Sequence, residues 1–234
     1  PTPHSAVLIE DGIAAAPDGQ PRMIDAQWFP GAQVNYARQM FRHVEAAHQA
    51  GCLAIISHNE KSLGKAPARE ISWPELRQRV AALALHLRAQ GVQPGDRVAA
   101  YLPNIPEAMI AFFATVSIGG VWSICAPDMG TQAVLDRFRQ IEPKVLFAVD
   151  GVTYGGKDLD RRAVVAELCA ALPSVTHLVL HDALGLDLNA TELVASCAIF
   201  TTTIARNDKE DQAFEPLWLP FNHPLWIVYS SGTT

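Results

Sequence analysis

Of the 234 residues, 49% are hydrophobic and 18% charged, and the formal net charge is −6. A chain this apolar buries enough surface to offset its conformational entropy, which excludes disorder, and the acidic balance argues against a general nucleic-acid binder. No uninterrupted apolar run reaches the ~18 residues of a membrane span. Residues 1–10 lack the basic and apolar regions of a signal peptide. Cys52, Cys125, Cys169 and Cys197 contain no C-x-x-C pair. The expectation is a soluble cytoplasmic protein with reduced thiols and with neither a membrane nor a nucleic-acid partner.

In chain order, residues 1–30 are rich in Pro, Gly and Ala without a sustained period, so 1–27 reads as an extended lead-in and 28–234 as the domain proper. A helix is predicted over 35–49 and a short buried strand over 52–57. The clearest helix is 72–90, where Ser72 serves as N-cap, Pro74 lies early and Glu75 sits at the capping-box position. Its apolar stripe is Leu76, Val80, Leu83 and Leu87, and Gly91 follows the last turn. Strands are then predicted at 97–102, 121–125, 144–149 and 177–181, alternating with helices at 106–117, 131–140 (stopped by Pro143) and 159–172. Residues 187–220 show less regularity, and 225–229 (LWIVY) reads as one last buried strand. Short unpatterned apolar strands between helices predict an α/β fold, a parallel-rich sheet flanked by helices.

Several motifs carry less than they suggest. Gly151-Val-Thr-Tyr-Gly-Gly156-Lys157-Asp158 fits G-x-x-x-x-G-K, but Asp158 stands where a phosphate-binding P-loop needs a hydroxyl for its metal. A glycine turn joining strand to helix is the better reading. His43 and His48 are five residues apart and do not share a helix face, while His177 and His181 fall in a strand, so neither pair reads as a metal site. His86 reads as a partly exposed helix residue without a special role, and Asp158 and Asp160 as a solvated helix start. G-x-S-x-G is absent, which weakens a serine hydrolase.

The last ten residues, Leu225-Trp-Ile-Val-Tyr-Ser-Ser-Gly-Thr-Thr234, run from an apolar strand into a loop of hydroxyls and glycine. Amides and hydroxyls in such a loop converge and can cradle phosphate oxygens. YSSGTT resembles the opening of the phosphate-loop signature of adenylate-forming enzymes, in which Gly, any residue, Pro and Lys follow. Trp28-Phe-Pro-Gly-Ala-Gln-Val-Asn-Tyr36 resembles a segment shared by acetyl-, propionyl- and acetoacetyl-CoA synthetases. Gly95-Asp-Arg-Val-Ala-Ala-Tyr-Leu-Pro-Asn104 with Pro106-Glu-Ala108 resembles a further block of theirs. The stretch from Ser123 through Asp128 and Gly130 to Val134-Leu-Asp-Arg-Phe-Arg-Gln-Ile-Glu-Pro-Lys144 is similar to the version characteristic of the acetoacetyl-CoA synthetase branch, departing from it at Ala126 and Met129.

This resemblance implies an acetoacetate–CoA ligase. The carboxylate of acetoacetate attacks the α-phosphorus of ATP, giving an acyl-adenylate and pyrophosphate, and the thiol of coenzyme A then displaces AMP. It implies ATP, Mg²⁺ and coenzyme A as cofactors and cosubstrates, small molecules as partners, and a place in lipid and ketone-body metabolism. Ser230, Ser231, Gly232, Thr233 and Thr234 are the implied contacts for the ATP phosphates. Tyr154-Gly-Gly-Lys157 matches a basic-glycine-basic turn that touches the nucleotide phosphates of coenzyme A in acetyl-CoA synthetases; it keeps one of the two basic residues, and Lys157 is the implied contact. The family's catalytic lysine, ribose-binding aspartate and Mg²⁺-binding glutamate lie beyond Thr234. The chain therefore reads as the N-terminal part of a longer protein, truncated inside its phosphate loop and inactive by itself without the remainder of its chain, with no catalytic and no metal-binding residue of its own. Two alternatives stay open: another short-chain acyl-CoA synthetase (acetyl or propionyl), and a truncated, non-catalytic nucleotide-binding module.

Overall fold

The computed structural model describes residues 2–9, 26–186, 193, 194 and 196–229. Near the N-terminus, β1 (Leu8–Ile9) pairs antiparallel with β2 (Gln27–Trp28). β3 (Gln33–Val34) pairs with β13 (Leu219–Pro220), close to the other end of the chain.

Asn35 begins the helical part. Its carboxamide oxygen accepts from the Ala37 and Arg38 amides at 2.9 and 3.4 Å, capping α1 (Tyr36–Phe41), while its amide nitrogen donates to the Val116 carbonyl at 2.9 Å. The predicted helix over 35–49 is two helices, because α1 packs on α4 and α2 (Val44–Gln49) packs on α3, and the chain turns at Arg42–His43 to reach both. The predicted buried strand at 52–57 is a second correction. Among the described residues, β4 (Leu53–Ser57) pairs only with β5 (Arg69–Ser72), in an antiparallel ribbon, and Ile56 is 61% exposed. A short apolar run does not reveal whether a sheet or solvent lies beside it.

α3 (Trp73–Ala89) forms as its sequence dictates. The Ser72 hydroxyl accepts from the Glu75 amide at 3.3 Å and the Glu75 carboxylate accepts from the Ser72 amide at 3.4 Å. Leu76, Val80, Leu83 and Leu87 are all buried. The alternation then runs β6 (Arg97–Tyr101), α4 (Pro106–Ser117), β7 (Val121–Cys125), α5 (Thr131–Ile141) and β8 (Val145–Val149). After β8 comes an antiparallel hairpin, β9 (Gly151–Tyr154) and β10 (Lys157–Asp160), then α6 (Arg162–Ala171) and β11 (His177–His181). The helix predicted to start at 159 therefore starts at Arg162, because residues 157–160 are used in strand pairing. The stretch 187–220, irregular by sequence, supplies β12 (Ser196–Ile199), α7 (Phe200–Ile204) and α8 (Lys209–Ala213).

The five-stranded sheet has the order β12-β11-β8-β6-β7 and every neighbour is parallel. The α/β fold is as expected. Side chains alternate between two cores with the period of two that a strand imposes. Val98 and Ala100 of β6 and Val145, Phe147 and Val149 of β8 join the core under α3, α4 and α7. Ala99, Tyr101, Leu146 and Ala148 join the core under α5 and α6. After β6 the chain crosses one face through α4 to β7, and after β8 it crosses the other through α6 to β11. The C-terminal ends of β6 and β8 thus flank a topological switch point, where open α/β sheets bind ligands.

The last described segment corrects a further expectation. Residues 225–229 meet the sheet through a single parallel bridge, Trp226 to Trp122, with the Trp122 amide donating to the Leu225 carbonyl and the Ile227 amide to the Trp122 carbonyl. It lies along β7 at the sheet edge and is not buried: Trp226 is 47% exposed and Val228 72%.

Candidate functional site

The site is organised from Asp150, the residue after β8. Its carboxylate is fully buried and accepts from the backbone amides of Ala183, Leu184 and Leu186 at 2.8–3.2 Å, fixing the turn after β11. Its amide donates to the His181 carbonyl, and its own carbonyl accepts from the Arg161 amide at 2.8 Å, so the two ends of the hairpin meet there. Gly151 has to be glycine: a β-carbon would lie 2.4 Å from Leu184 and 2.9 Å from the Leu159 carbonyl.

At the hairpin tip, Gly155 and Gly156 have φ of +58° and +74°, the paired left-handed conformation of a two-residue hairpin turn. The G-x-x-x-x-G-K match is therefore strand–turn–strand, which excludes a P-loop and also corrects the turn from strand-to-helix to strand-to-strand. The tip is held from outside by two consecutive residues of the β4–β5 loop. The Glu60 carboxylate accepts from the Gly155 and Gly156 amides at 3.1 and 2.8 Å. Lys61 forms an ion pair with Asp158 at 2.8 Å, and Thr153, directly across the hairpin, donates to Asp158 at 2.6 Å. The Lys61 and Thr153 hydrogen bonds hold the Asp158 carboxyl below its usual range. Lys157 is exposed beside this cluster. Asp158 and Asp160 belong to β10 and not to a solvated helix start, although Asp160 accepts from the Arg162 amide at 2.9 Å as α6 begins.

The phosphate-loop residues Ser230, Ser231, Gly232, Thr233 and Thr234 lie outside the described residues. Their approach is described. The Ser123 hydroxyl of β7 donates to the Ile227 carbonyl at 3.2 Å, and the Tyr229 hydroxyl donates to the Arg137 carbonyl at 2.9 Å. Because this segment runs parallel to β7, it leads toward the end of the sheet at which β6 and β8 finish. A groove of about 590 Å³ opens beside it, lined by Tyr36, Pro103, Met109, Phe112, Ile124 and Trp226.

Histidines and thiols offer no second centre. His86 is not the unremarkable residue expected: its Nε2 lies 2.8 Å from Nε2 of His177, whose Nδ1 meets the Ser196 hydroxyl at 2.9 Å. Burial, then the neighbouring His86, lowers His177 to about 4. Burial, then Arg206, lowers His86. Burial pushes Cys169 up to about 11 and raises Cys125 and Cys197, so none of these three thiols is primed as a nucleophile. Among the described residues no three His, Cys, Asp or Glu side chains gather to hold a metal ion.

Fold and site together define a parallel-sheet α/β protein with a glycine-turn hairpin following its central strand. A family model of AMP-binding enzymes matches residues 44–234, and the chain belongs to that family. It is 39% identical over 231 residues to the acetoacetyl-coenzyme A synthetase of Rhizobium meliloti (strain 1021), covering 99% of this chain and 33% of that protein. It is 37% identical over 212 residues to the acetoacetyl-CoA synthetase of Macaca fascicularis, covering 89% and 30%. Among solved structures, acetoacetyl-CoA synthetase from Streptomyces lividans matches with a TM-score of 0.83 and 42% identity over 100% of this chain and 32% of that one. The chain spans about a third of the length of the relatives it matches. The resemblance carried by the motifs from Trp28 onward is borne out.

Proposed function

We propose that the chain forms part of an ATP-dependent acid–CoA ligase that joins acetoacetate to coenzyme A through an acyl-adenylate, releasing pyrophosphate and AMP, in the cytoplasm. The observation carrying this reading is the likeness to the Streptomyces lividans acetoacetyl-CoA synthetase across the whole described fold. In the first step the carboxylate oxygen bonds to the α-phosphorus as the bond to the pyrophosphate oxygen breaks. Charge accumulates on the departing phosphates, and the amides and hydroxyls of Ser230, Ser231, Gly232, Thr233 and Thr234 supply donors for it. In the second step the thiol loses its proton to solvent and its sulfur bonds to the acyl carbon as the bond from that carbon to the AMP phosphate oxygen breaks. Lys157, exposed on the hairpin that rises from β8, holds a phosphate of the coenzyme A nucleotide. Magnesium accompanies ATP in such chemistry, and among the described residues no three His, Cys, Asp or Glu side chains gather to hold it. The partners are small molecules, and among the described residues no helix is long and apolar enough to cross a membrane.

The test is pyrophosphate release by the full-length gene product with acetoacetate, acetate and propionate in parallel. We expect acetoacetate to be preferred at least about tenfold in kcat/KM, a difference of about 1.4 kcal/mol in transition-state binding. Equal rates would replace the substrate, and no release with any acid would remove the ligase.

A further inference from the structure

A concave site of about 240 Å³ lies on the helical layer, between the end of α1, the first half of α3 and the 214–216 stretch. Phe41, Val80 and Phe214 form its floor and are buried. Above them stand three guanidinium groups, of Arg38, Arg42 and Arg77, against the single carboxylate of Glu215. In a chain of net charge −6 this cluster is a local excess of positive charge. We infer that the pocket is a binding site for a small inorganic phosphate, ortho- or diphosphate, with Arg42 and Arg77 as its principal contacts. The inference does not rest on the ligase reading above.

The three arginines are not equivalent. Arg38 is fully committed: Nε and Nη2 donate to the Pro216 carbonyl at 3.2 and 2.7 Å, and Nη1 meets one Glu215 oxygen at 3.0 Å. Its guanidinium carbon also lies 4.5 Å from the centre of the Trp218 ring, so it forms a fixed wall. Arg77 gives Nη2 to the other Glu215 oxygen at 2.9 Å and keeps Nε and Nη1 without a partner among the described residues. Arg42 donates only to neutral acceptors, Nε to His43 at 2.6 Å and Nη1 to Gln39 at 3.3 Å. With both Glu215 oxygens taken by Arg38 and Arg77, the charge of Arg42 is unbalanced.

This arrangement selects its ligand. Guanidinium forks match the oxygen edges of a phosphate and stay charged at any physiological pH. An apolar floor beneath charges of one sign is a low-dielectric wall, which focuses the field into the cleft and concentrates counter-ions there. A monocarboxylate gains little, because Glu215 already supplies one; an added anion needs the greater charge of a phosphate. The volume falls below the roughly 300–1,000 Å³ typical of pockets that enclose drug-sized molecules, which favours a free inorganic anion over a nucleotide. Occupancy ties the 214–216 stretch to α1 and α3, so binding should also raise the urea midpoint.

The experiment is calorimetric titration of the chain, at low ionic strength, with diphosphate, orthophosphate, AMP and succinate. Diphosphate should bind most tightly, with a Kd of roughly 1 mM or lower. Arg42→Gln and Arg77→Gln should each weaken it about fivefold, the size of one exposed charge contact, and Glu215→Gln, which removes the competing carboxylate, should tighten it by a similar factor. Arg42 makes no ion pair among the described residues, so its variant should keep the parent urea midpoint in the absence of ligand. Arg139→Gln, at an exposed position of α5 outside the pocket, should leave the Kd unchanged and controls for net charge. Equal weakening by Arg139→Gln would make the ligand an adventitious ion only and overturn the site. Weaker binding after Glu215→Gln, or no binding of either phosphate at about 10 mM, would overturn it as well. Succinate or AMP bound as tightly as diphosphate would overturn the assignment to a small inorganic phosphate.

Discussion

β8 and the β9–β10 hairpin are consecutive in the chain and opposite in physical character. Every residue of β8 is 0% exposed, covered by helices on both faces, whereas Tyr154 at the hairpin tip is 67% exposed and the tip is fixed by individual polar contacts. The sheet is held by buried area, which is large, non-directional and intolerant of lost volume. The hairpin is held by directional contacts that water and solutes can replace. One strand therefore carries rigidity up to Asp150 and exchangeability beyond it, a division suited to a rigid scaffold with a binding element at its edge.

The sharpest way to break this contrast is inside the sheet. Phe147 is fully buried and its ring meets those of Trp122 and Phe200 at centroid distances of 6.0 and 5.9 Å. Phe147→Ala should destabilise the chain by about 3–5 kcal/mol, read as a lower urea midpoint. A loss similar to that of a surface substitution would mean that the core repacks freely.

A smaller effect is expected from the paired histidines between α3 and β11. His177 is held near pH 4 against an ordinary 6.5, so the folded chain binds fewer protons than the unfolded one across that window. Its stability should be full above pH 6.5 and fall as the pH drops toward 4. The groups facing the pair are Arg206, Ser196 and Gln90, and none can neutralise a second positive charge. Urea midpoints between pH 7.5 and 4.5, rough bounds set around the two pKa values, should slope for the parent chain and flatten for His177→Gln. An unchanged slope in the variant would assign the acid sensitivity elsewhere.

The smallest effect belongs to the hairpin clamp. Lys61→Met should leave the urea midpoint within error, since its ion pair with Asp158 is exposed on both sides. It should nevertheless move the Thr153 and Asp158 amide resonances. A marked loss of stability would show that the tip is structural and the contrast overdrawn.

The sequence was most legible where local and long-range demands agree. The Ser72 and Glu75 capping box and the stripe from Leu76 to Leu87 specify α3 without help from the rest of the chain, and the strands of the buried sheet stand out as apolar runs between helices. Legibility failed where a distant partner decides. Nothing near Arg42 announces that one helical stretch must pack on two different helices. An apolar run at Leu53–Ser57 looks the same whether it joins a central sheet or an outer ribbon. The hairpin is readable in principle, since adjacent glycines between short strands are a turn signal, but the same glycines fit G-x-x-x-x-G-K, a pattern that equally describes a strand–loop–helix. The contacts of Glu60 and Lys61 with residues 155–158 carry no local signal, because 96 and 97 residues separate the partners. The family motifs point to Lys157 but carry no information on what surrounds it.

Asp150 joins three parts of the chain at one residue, with its amide on β11, its carbonyl on the entrance to α6 and its carboxylate on the turn that follows β11. The hairpin therefore has a fulcrum and not merely a base. A displacement at the Gly155–Gly156 tip pivots about a residue whose every polar group is committed, and the arm on the far side of that pivot is the 182–186 turn. The hairpin base and the 182–186 turn share this single side chain, so a substitution in either should be felt in the other.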